Sequence, residues 1–279
     1  MPANDFDLPN LLRSRLTLVA ILAAQKAGEV LRKGFGTPMK FETKEGRHNL
    51  VTEWDNKSEE VIIESIKAHF PDHAFLAEES GESGKQGGIQ WIIDPLDGTV
   101  NYAHKIPMFS VSIAAASQNE ILSGVIYVPM LDELFVAEKG NGAYLNGEKL
   151  KVTETAVLDS AITATGLPYN VHENPLCCLD HFNSFARMGI PLRRMGSAAI
   201  DLSYVAAGRF DSFWEVSLNP WDYAAGRLLI EEAGGMVTNF EGAPYRSLTE
   251  GPIVASNGIL HDQMVKRINA TLEKKNEAD

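Results

Sequence analysis

The sequence predicts a mixed α/β fold, with helices and sheet strands distributed along one chain of 279 residues. Three observations lead there. The run Trp91-Ile92-Ile93 is short and apolar, as interior strands are, and it stops at Asp94-Pro95-Leu96-Asp97-Gly98, where Pro95 and Gly98 are turn residues. Elsewhere apolar residues recur at helical spacing, as in Val61, Ile62 and Ile66. Asn146-Gly147, set between two strand-like segments, is the strongest short hairpin signal in the chain.

Taken in order, the chain opens with a long helix from about residue 9 to 33, with Pro9 tolerated in its first turn and Gly34 and Gly36 ending it. A polar turn at 49–55 leads into a second helix of roughly residues 55–69, and Asp55 falls where a carboxylate caps a helix start. Phe75-Leu76-Ala77 reads as a short strand ending at Glu78-Glu79-Ser80, and the Gly-rich segment 81–88 as an exposed loop. After the central strand, Thr99 opens a helix; strands follow at 110–116, 121–128, 134–138 and 143–144. The second half predicts a strand at 161–165, a helix near 174–187, a strand at 192–194 and a helix beginning at Gly196-Ser197-Ala198-Ala199. A strand over 209–216 contains Glu215. Asn219-Pro220-Trp221-Asp222 then starts a helix closed by Gly234-Gly235, before a strand at 252–256 and a last helix at 259–272. No repeat or long linker interrupts the chain, so the expected division is an N-terminal α+β half, 1–150, and a C-terminal α/β half, 151–279, sharing a broad boundary.

Composition narrows the class of function. With 37 acidic and 25 basic residues the formal net charge is −12, a balance that argues against direct binding of nucleic acid or an anionic membrane. Residues 1–8 lack the positive region of a secretory signal, and the apolar run 16–24 is too short to span a bilayer. The adjacent pair Cys177 and Cys178 cannot form an unstrained disulfide, so a reducing, cytoplasmic setting is expected. Zinc spacing has little support, because Pro71 breaks any helix that would align His69 with His73.

Chemistry concentrates at the central turn. Asp94 and Asp97 can converge on one point, and two close carboxylates repel each other unless a cation or proton intervenes. A hard divalent metal is the natural guest. Gly98 lets backbone approach a ligand, and Thr99 adds a hydroxyl beside the free amides of a starting helix, where a phosphate prefers to sit. No Ser/His/Asp or cysteine-nucleophile arrangement stands beside this set.

Glu78-Glu79-Ser80, then Trp91-Ile92-Ile93-Asp94-Pro95-Leu96-Asp97-Gly98-Thr99-Val100-Asn101-Tyr102, then Trp221-Asp222-Tyr223-Ala224-Ala225-Gly226 together resemble the motif set of the inositol monophosphatase family. Lys44 with segment 49–55, residues 193–201 and residues 213–220 extend the likeness, which runs in order from about residue 12 to 265. Arg193-Arg194-Met195-Gly196 and the run 205–209 point to its bacterial inositol-1-monophosphatase branch. The resemblance implies a layered α-β-α-β-α sandwich and Mg²⁺-dependent, Li⁺-sensitive hydrolysis of a phosphate monoester, with a small phosphorylated polyol, inositol 1-phosphate, as substrate.

Carried onto this chain, the resemblance puts one Mg²⁺ on Glu78, Asp94 and the carbonyl of Leu96, and a second on Asp94, Asp97 and Asp222. A weaker third ion belongs to the Glu78 region, with Lys44 and Asp55 as accessory residues. Glu78 and Thr99 orient the attacking water, the amides of Gly98 and Thr99 take the phosphate, and Asp97, Glu215, Gly196 and Ala198 meet the inositol ring. Two ions roughly 3.5–4 Å apart neutralise charge on the attacking and leaving oxygens of such a reaction, and oxygen-only ligands suit Mg²⁺. The resemblance also implies a homodimer, and bacterial relatives resemble a factor that joins transcription complexes. Related phosphatases act on 3′-phosphoadenosine 5′-phosphate, fructose-1,6-bisphosphate or histidinol phosphate, and these stand as alternative substrates.

Each of these residues also has a plainer reading. Asp94 and Asp97 can bond their own turn backbone, and Glu78 can be a solvated strand end. Asp222 and Thr99 can serve only the starts of their helices. Glu215 and Lys44 can be ordinary charged residues, and Arg193 and Arg194 can serve an anion or an interface.

Overall fold

The computed structural model describes residues 14–38, 41–43, 50–85, 87–245 and 248–276; Lys44 and the predicted helix start before residue 14 lie outside the described residues. A two-stranded ribbon pairs β1 (Phe41–Thr43) with β2 (Leu50–Thr52). The first large sheet contains β3 (Ala74–Ala77), β4 (Gly81–Ser83), β5 (Ile89–Asp97), β6 (Ser110–Ser117), β7 (Glu120–Val128), β8 (Glu133–Glu138), β9 (Gly142–Leu145) and β10 (Glu148–Lys149). The second holds β11 (Thr163–Thr165), β12 (Leu192–Arg193), β13 (Ser212–Leu218), β14 (Met236–Thr238) and β15 (Gly251–Ser256). The helices are α1 (Arg15–Gly34), α2 (Glu53–Lys67), α3 (Thr99–Ala103), α4 (Cys178–Ala186), α5 (Ala198–Ala206), α6 (Pro220–Glu232) and α7 (His261–Asn276).

Alternation along the strands sorts these elements into layers. On β5, Trp91 and Ile93 join Val111, Ile113 and Tyr127 in a core that also buries Ala20, Ala24, Ala27 and Leu31 of α1 and Ile62 and Ile66 of α2. Ile92 points the other way, into a core shared with Ile126, Phe135 and the small-residue faces of α5 and α6. Across that middle layer Phe213 of β13 and Ile253 and Ala255 of β15 close the core from the second sheet. The outer face of that sheet, Trp214, Val216 and Val254, is covered by Phe185 of α4 and Met264 and Ile268 of α7. The layering is therefore α1/α2, sheet, α5/α6, sheet, α4/α7, the five-layer α-β-α-β-α sandwich. Among the described residues no helix is long and apolar enough to cross a membrane.

Local chemistry fixes several boundaries. Thr52 caps α2 and Asp55 returns the bond as its N3 residue, so the helix starts at Glu53, two residues before the sequence expectation. Asn146 and Gly147 take φ 50° and 88°, the doubly left-handed turn a tight hairpin requires, and Leu145 pairs with Glu148 across it. Three expectations need correction. The Gly-rich segment 81–88 is not wholly a loop, because Gly81–Ser83 pairs with β3 as an edge strand. The short strand Met236–Thr238 was not anticipated. The central strand does not stop at Asp94: pairing with β6 slips between Asp94 and Asp97 and resumes at Asp97–Ser110, so the strand absorbs Pro95, which has no N–H to donate, as a bulge.

Candidate active site

That bulge is where the candidate site begins. Asp94 pairs in register with Ser112 of β6, and the Ser112 hydroxyl donates to the carbonyl of Trp221 at 3.1 Å, tying the end of β5 to the start of α6. Pro220 opens α6 and Asp222 is its N3 residue, so the capping preference of an acid and its delivery into the site coincide. Glu78 follows β3, which runs parallel to β5, and its N–H donates to Ile93 O at 3.1 Å, so it stands beside the same strand end. From the second half of the chain, Ala198 at the start of α5 gives a backbone hydrogen bond to Asp97, and Glu215 on β13 lies within its electrostatic influence.

Hydrogen bonds aim the carboxylates. Leu96 N–H donates to Asp94 Oδ1 at 2.9 Å. Ser197 Oγ and Ala199 N–H donate to Asp97 Oδ2 at 2.6 and 2.7 Å, joining β5 to the N-terminus of α5. Asn219 N–H donates to Asp222 Oδ2 at 2.6 Å. The Thr99 hydroxyl lies 3.0 Å from both Asp55 Oδ1 and Leu96 O, so it can donate to a carboxylate of α2 or to the strand-end carbonyl. Ser58 Oγ adds a 2.7 Å bond to Pro95 O, and α2 thereby braces the bulge from below.

Gly98 takes φ 98°, and a side chain there would bring its Cβ to 3.0 Å from Met108 O and 3.2 Å from Gly196 O. The turn and the Gly196 loop can touch only without it. Asn101 secures the same contact, its Nδ2 donating to Met108 O at 2.6 Å and Met195 O at 2.8 Å.

The electrostatics are those of like charges brought together out of water. Asp94 is 2% exposed; burial first, then Glu78, Asp97 and Asp222, push its carboxyl well above the ordinary range. Burial, then Asp97 and Glu78, do the same to Asp222. Burial lifts Asp97 to about 6 against the pull of its hydrogen bonds from Ser197, Ala199 and Ala198. Asp55 also reaches about 6 through burial, opposed by hydrogen bonds from Thr52 and Thr99. Glu215 rises to about 8, from burial and then Asp97, with Arg194 opposing. The structure therefore brings Glu78, Asp94, Asp97 and Asp222 into one electrostatic group, with Glu215 at its edge and Asp55 reaching it through Thr99.

This donor set fits a hard divalent cation. Carboxylate and carbonyl oxygens supply it, with neither thiolate nor imidazole, and a cation placed among them would reverse the repulsion that raises their pKa values. Among the described residues no three His, Cys, Asp or Glu side chains meet closely enough to form a finished metal cage. The carboxylates are instead linked through their electrostatic influence on one another, each held by the backbone or side-chain donors named above.

Sequence reasoning missed three participants. Ser197 was read only as part of a helix start, although a serine directly before a helix is a strong capping signal, and here it holds Asp97 as well. Asp201 is 2% exposed, pushed well above the ordinary range by burial and then by Glu215 and Asp97, and only its helical position foretold burial. Tyr169, on the loop after β11, lies in the field of Glu78, Asp97, Asp222 and Asp94, and nothing in its local sequence signals this.

Comparison with known proteins places the chain in a family. The family model "Inositol monophosphatase family" matches residues 12–275. The chain is 44% identical over 241 residues to Nus factor SuhB of Escherichia coli, covering 86% of this chain and 90% of that protein. It is 41% identical over 265 residues to inositol-1-monophosphatase of Mesorhizobium japonicum, covering 93% and 98%. The solved inositol monophosphatase from Anabaena superposes with a TM-score of 0.82 at 40% identity, over 91% of this chain and 95% of that one. An IMPase/NADP phosphatase complexed with Mg²⁺ and phosphate superposes with a TM-score of 0.77 at 25% identity, over 88% and 92%. A carboxylate group built at a strand bulge, the five-layer fold around it and these likenesses have one common reading: the chain belongs to the inositol monophosphatase family.

Proposed function

We propose that the protein is a Mg²⁺-dependent phosphatase that hydrolyses inositol 1-phosphate to inositol and inorganic phosphate. The observation that carries this reading is that Asp94, which is buried, and the half-buried Glu78, Asp97 and Asp222, from three stretches of chain, lie within one another's electrostatic reach beside the Thr99 hydroxyl. The magnesium of the solved IMPase/NADP phosphatase complex supports the choice of ion. Glu78, Asp94 and the Leu96 carbonyl would hold one ion, and Asp94, Asp97 and Asp222 another. Bound there, Mg²⁺ supplies charge neutralisation for the phosphate oxygens and a lowered pKa for water.

The chain's own residues do the rest. The Thr99 hydroxyl, with Asp55 Oδ1 as acceptor on one side, is held where it can orient the attacking water together with Glu78. Gly98 and Thr99 amides, at the opening of α3, offer donors to the phosphate. Asp97, fixed by Ser197 and Ala199, and Glu215 on β13, whose carboxyl Asp97 influences, would meet the alcohol portion of the ester.

A phosphate-release panel tests this. Inositol 1-phosphate, 3′-phosphoadenosine 5′-phosphate, fructose-1,6-bisphosphate and histidinol phosphate are compared with Mg²⁺, with Mg²⁺ plus Li⁺, and with EDTA. Release from inositol 1-phosphate that needs Mg²⁺, falls with Li⁺ and exceeds the other esters is the expected result. Preference for another ester would move the substrate, and release undiminished in EDTA would remove the mechanism.

The Nus factor name of the E. coli relative favours a second reading, docking to a transcription complex. Capture of purified polymerase and elongation factors by the wild type and by Asp94→Asn separates the two roles. Equal capture by both would give docking independent of catalysis, and no capture by either would remove the second reading.

A further inference from the structure

Helix α2 carries three buried polar residues, Asp55, Ser58 and Glu59, on one face at spacing i, i+3 and i+4. Each reaches a different segment of the candidate site. The Thr99 hydroxyl lies 3.0 Å from Asp55 Oδ1, Ser58 Oγ donates to Pro95 O at 2.7 Å, and Glu79 N–H donates to Glu59 Oε2 at 2.9 Å. Farther along the same face, Ile62 and Ile66 join the core that holds Trp91 and Ile93 of β5. The helix that offers these polar groups is thereby anchored to the central strand.

The Glu59 bond bears on Glu78. Glu78 N–H donates to Ile93 O at 3.1 Å, and the next N–H along the chain, that of Glu79, is the one Glu59 accepts. Between two planar peptide groups a residue has only φ and ψ to vary, so anchoring the amides on both sides of Glu78 fixes the direction in which its side chain leaves the backbone. A carboxylate accepting a backbone N–H makes a strong, charge-assisted bond, and a buried one is costly to leave without a donor. The plainer reading makes Glu59 a tie between α2 and β3. The tie falls beyond β3, however, on the peptide directly after Glu78.

We propose that Glu59 is a positioning residue for Mg²⁺ binding: it sets where Glu78 points and, through Glu78, how tightly the first ion is held. The inference rests on the reading of Glu78 as an ion ligand and adds what keeps that ligand in place.

The test titrates Mg²⁺ by calorimetry into metal-free wild type, Glu59→Gln, Glu59→Met, Glu59→Ala, Glu78→Ala and the double variant Glu59→Met/Glu78→Ala, with each melting temperature read in EDTA. Glutamine keeps an acceptor for Glu79 N–H, and methionine keeps the length of the side chain without one. Alanine removes the acceptor at smaller volume, should the methionine variant not fold. Ile62→Val is the control for a helix loosened with the bond intact. Glu59→Met and Glu59→Ala should weaken Mg²⁺ binding about tenfold or more, as loss of a group that orients a metal ligand does. Glu59→Gln should stay within about threefold of wild type, because the hydrogen bond survives. Ile62→Val should bind as wild type does, even where it melts lower. In the Glu78→Ala background, Glu59→Met should cost nothing further. Wild-type affinity without the acceptor, a loss in Glu59→Gln equal to that in Glu59→Met, or a full additional loss in the double variant would overturn the assignment. A Glu78→Ala protein that binds Mg²⁺ as tightly as wild type would instead overturn the ligand reading beneath it, and the assignment with it.

Discussion

Glu215→Gln isolates the electrostatic cost of the site, because glutamine keeps the shape and volume of the side chain and removes only its charge. Glu215 is 9% exposed, pressed by the Gly166 backbone and faced by Asp97, and its carboxyl is pushed from 4.5 to about 8. The sign follows from proton counting. Between pH 4.5 and 8 the folded protein holds a proton on Glu215 that the unfolded chain has released, so stability falls as pH rises through that window and levels off above it. A shift of this size corresponds to roughly 3–5 kcal/mol when fully expressed, at about 1.4 kcal/mol per pKa unit. In EDTA, urea unfolding followed by tryptophan fluorescence should find Glu215→Gln and wild type nearly equal at pH 4.5. The variant should gain steadily, to about 3 kcal/mol by pH 9. Trp214, its neighbour on β13, is a buried reporter. A stability difference that stays constant from pH 4.5 to 9 would refute the reasoning.

Two further perturbations address packing and chemistry. Gly226→Ala should destabilise by about 1–3 kcal/mol, because its Cβ would come 2.6 Å from Leu202 Cβ where α6 crosses α5; an unchanged urea midpoint would contradict that packing. Thr99→Val should lower kcat by about 10²-fold or more with a small change in Tm, while Thr99→Ser retains most activity, since only the hydroxyl reaches Asp55 and Leu96 O; equal kcat in the two variants would remove the hydroxyl's role.

What could be read from the sequence depended on how local the cause was. Asp94, Asp97 and Asp222 were legible because proline, glycine and helix-start chemistry act within a few residues, and those same features deliver the carboxylates. The strand end was misjudged for a tertiary reason: Pro95 does interrupt the ladder, yet β6 pairs again at Asp97, so a stop becomes a bulge. Gly81–Ser83 looked like a loop because its composition is that of one, and only the neighbouring β3 gives it a partner. Asp55 was legible as a cap, while its reach to Thr99 depends on α2 packing beneath β5. Tyr169 carries no short-range mark, and Asp201 only its place in the first turn of a helix. Their place beside the carboxylates follows from how the second sheet and α5 stack on the first, which residue order alone does not reveal.

The central question is whether these clustered carboxylates take up a divalent cation. Calorimetric titration of Mg²⁺ into the metal-free protein, read alongside the change in Tm, measures this without reference to any substrate. Wild type should bind Mg²⁺ and melt at a higher temperature with it, whereas Asp94→Asn should start at least as stable in EDTA, relieved of one buried like charge, and show little response to the ion. Equal Mg²⁺ affinity and equal thermal shift in both proteins would contradict the claim.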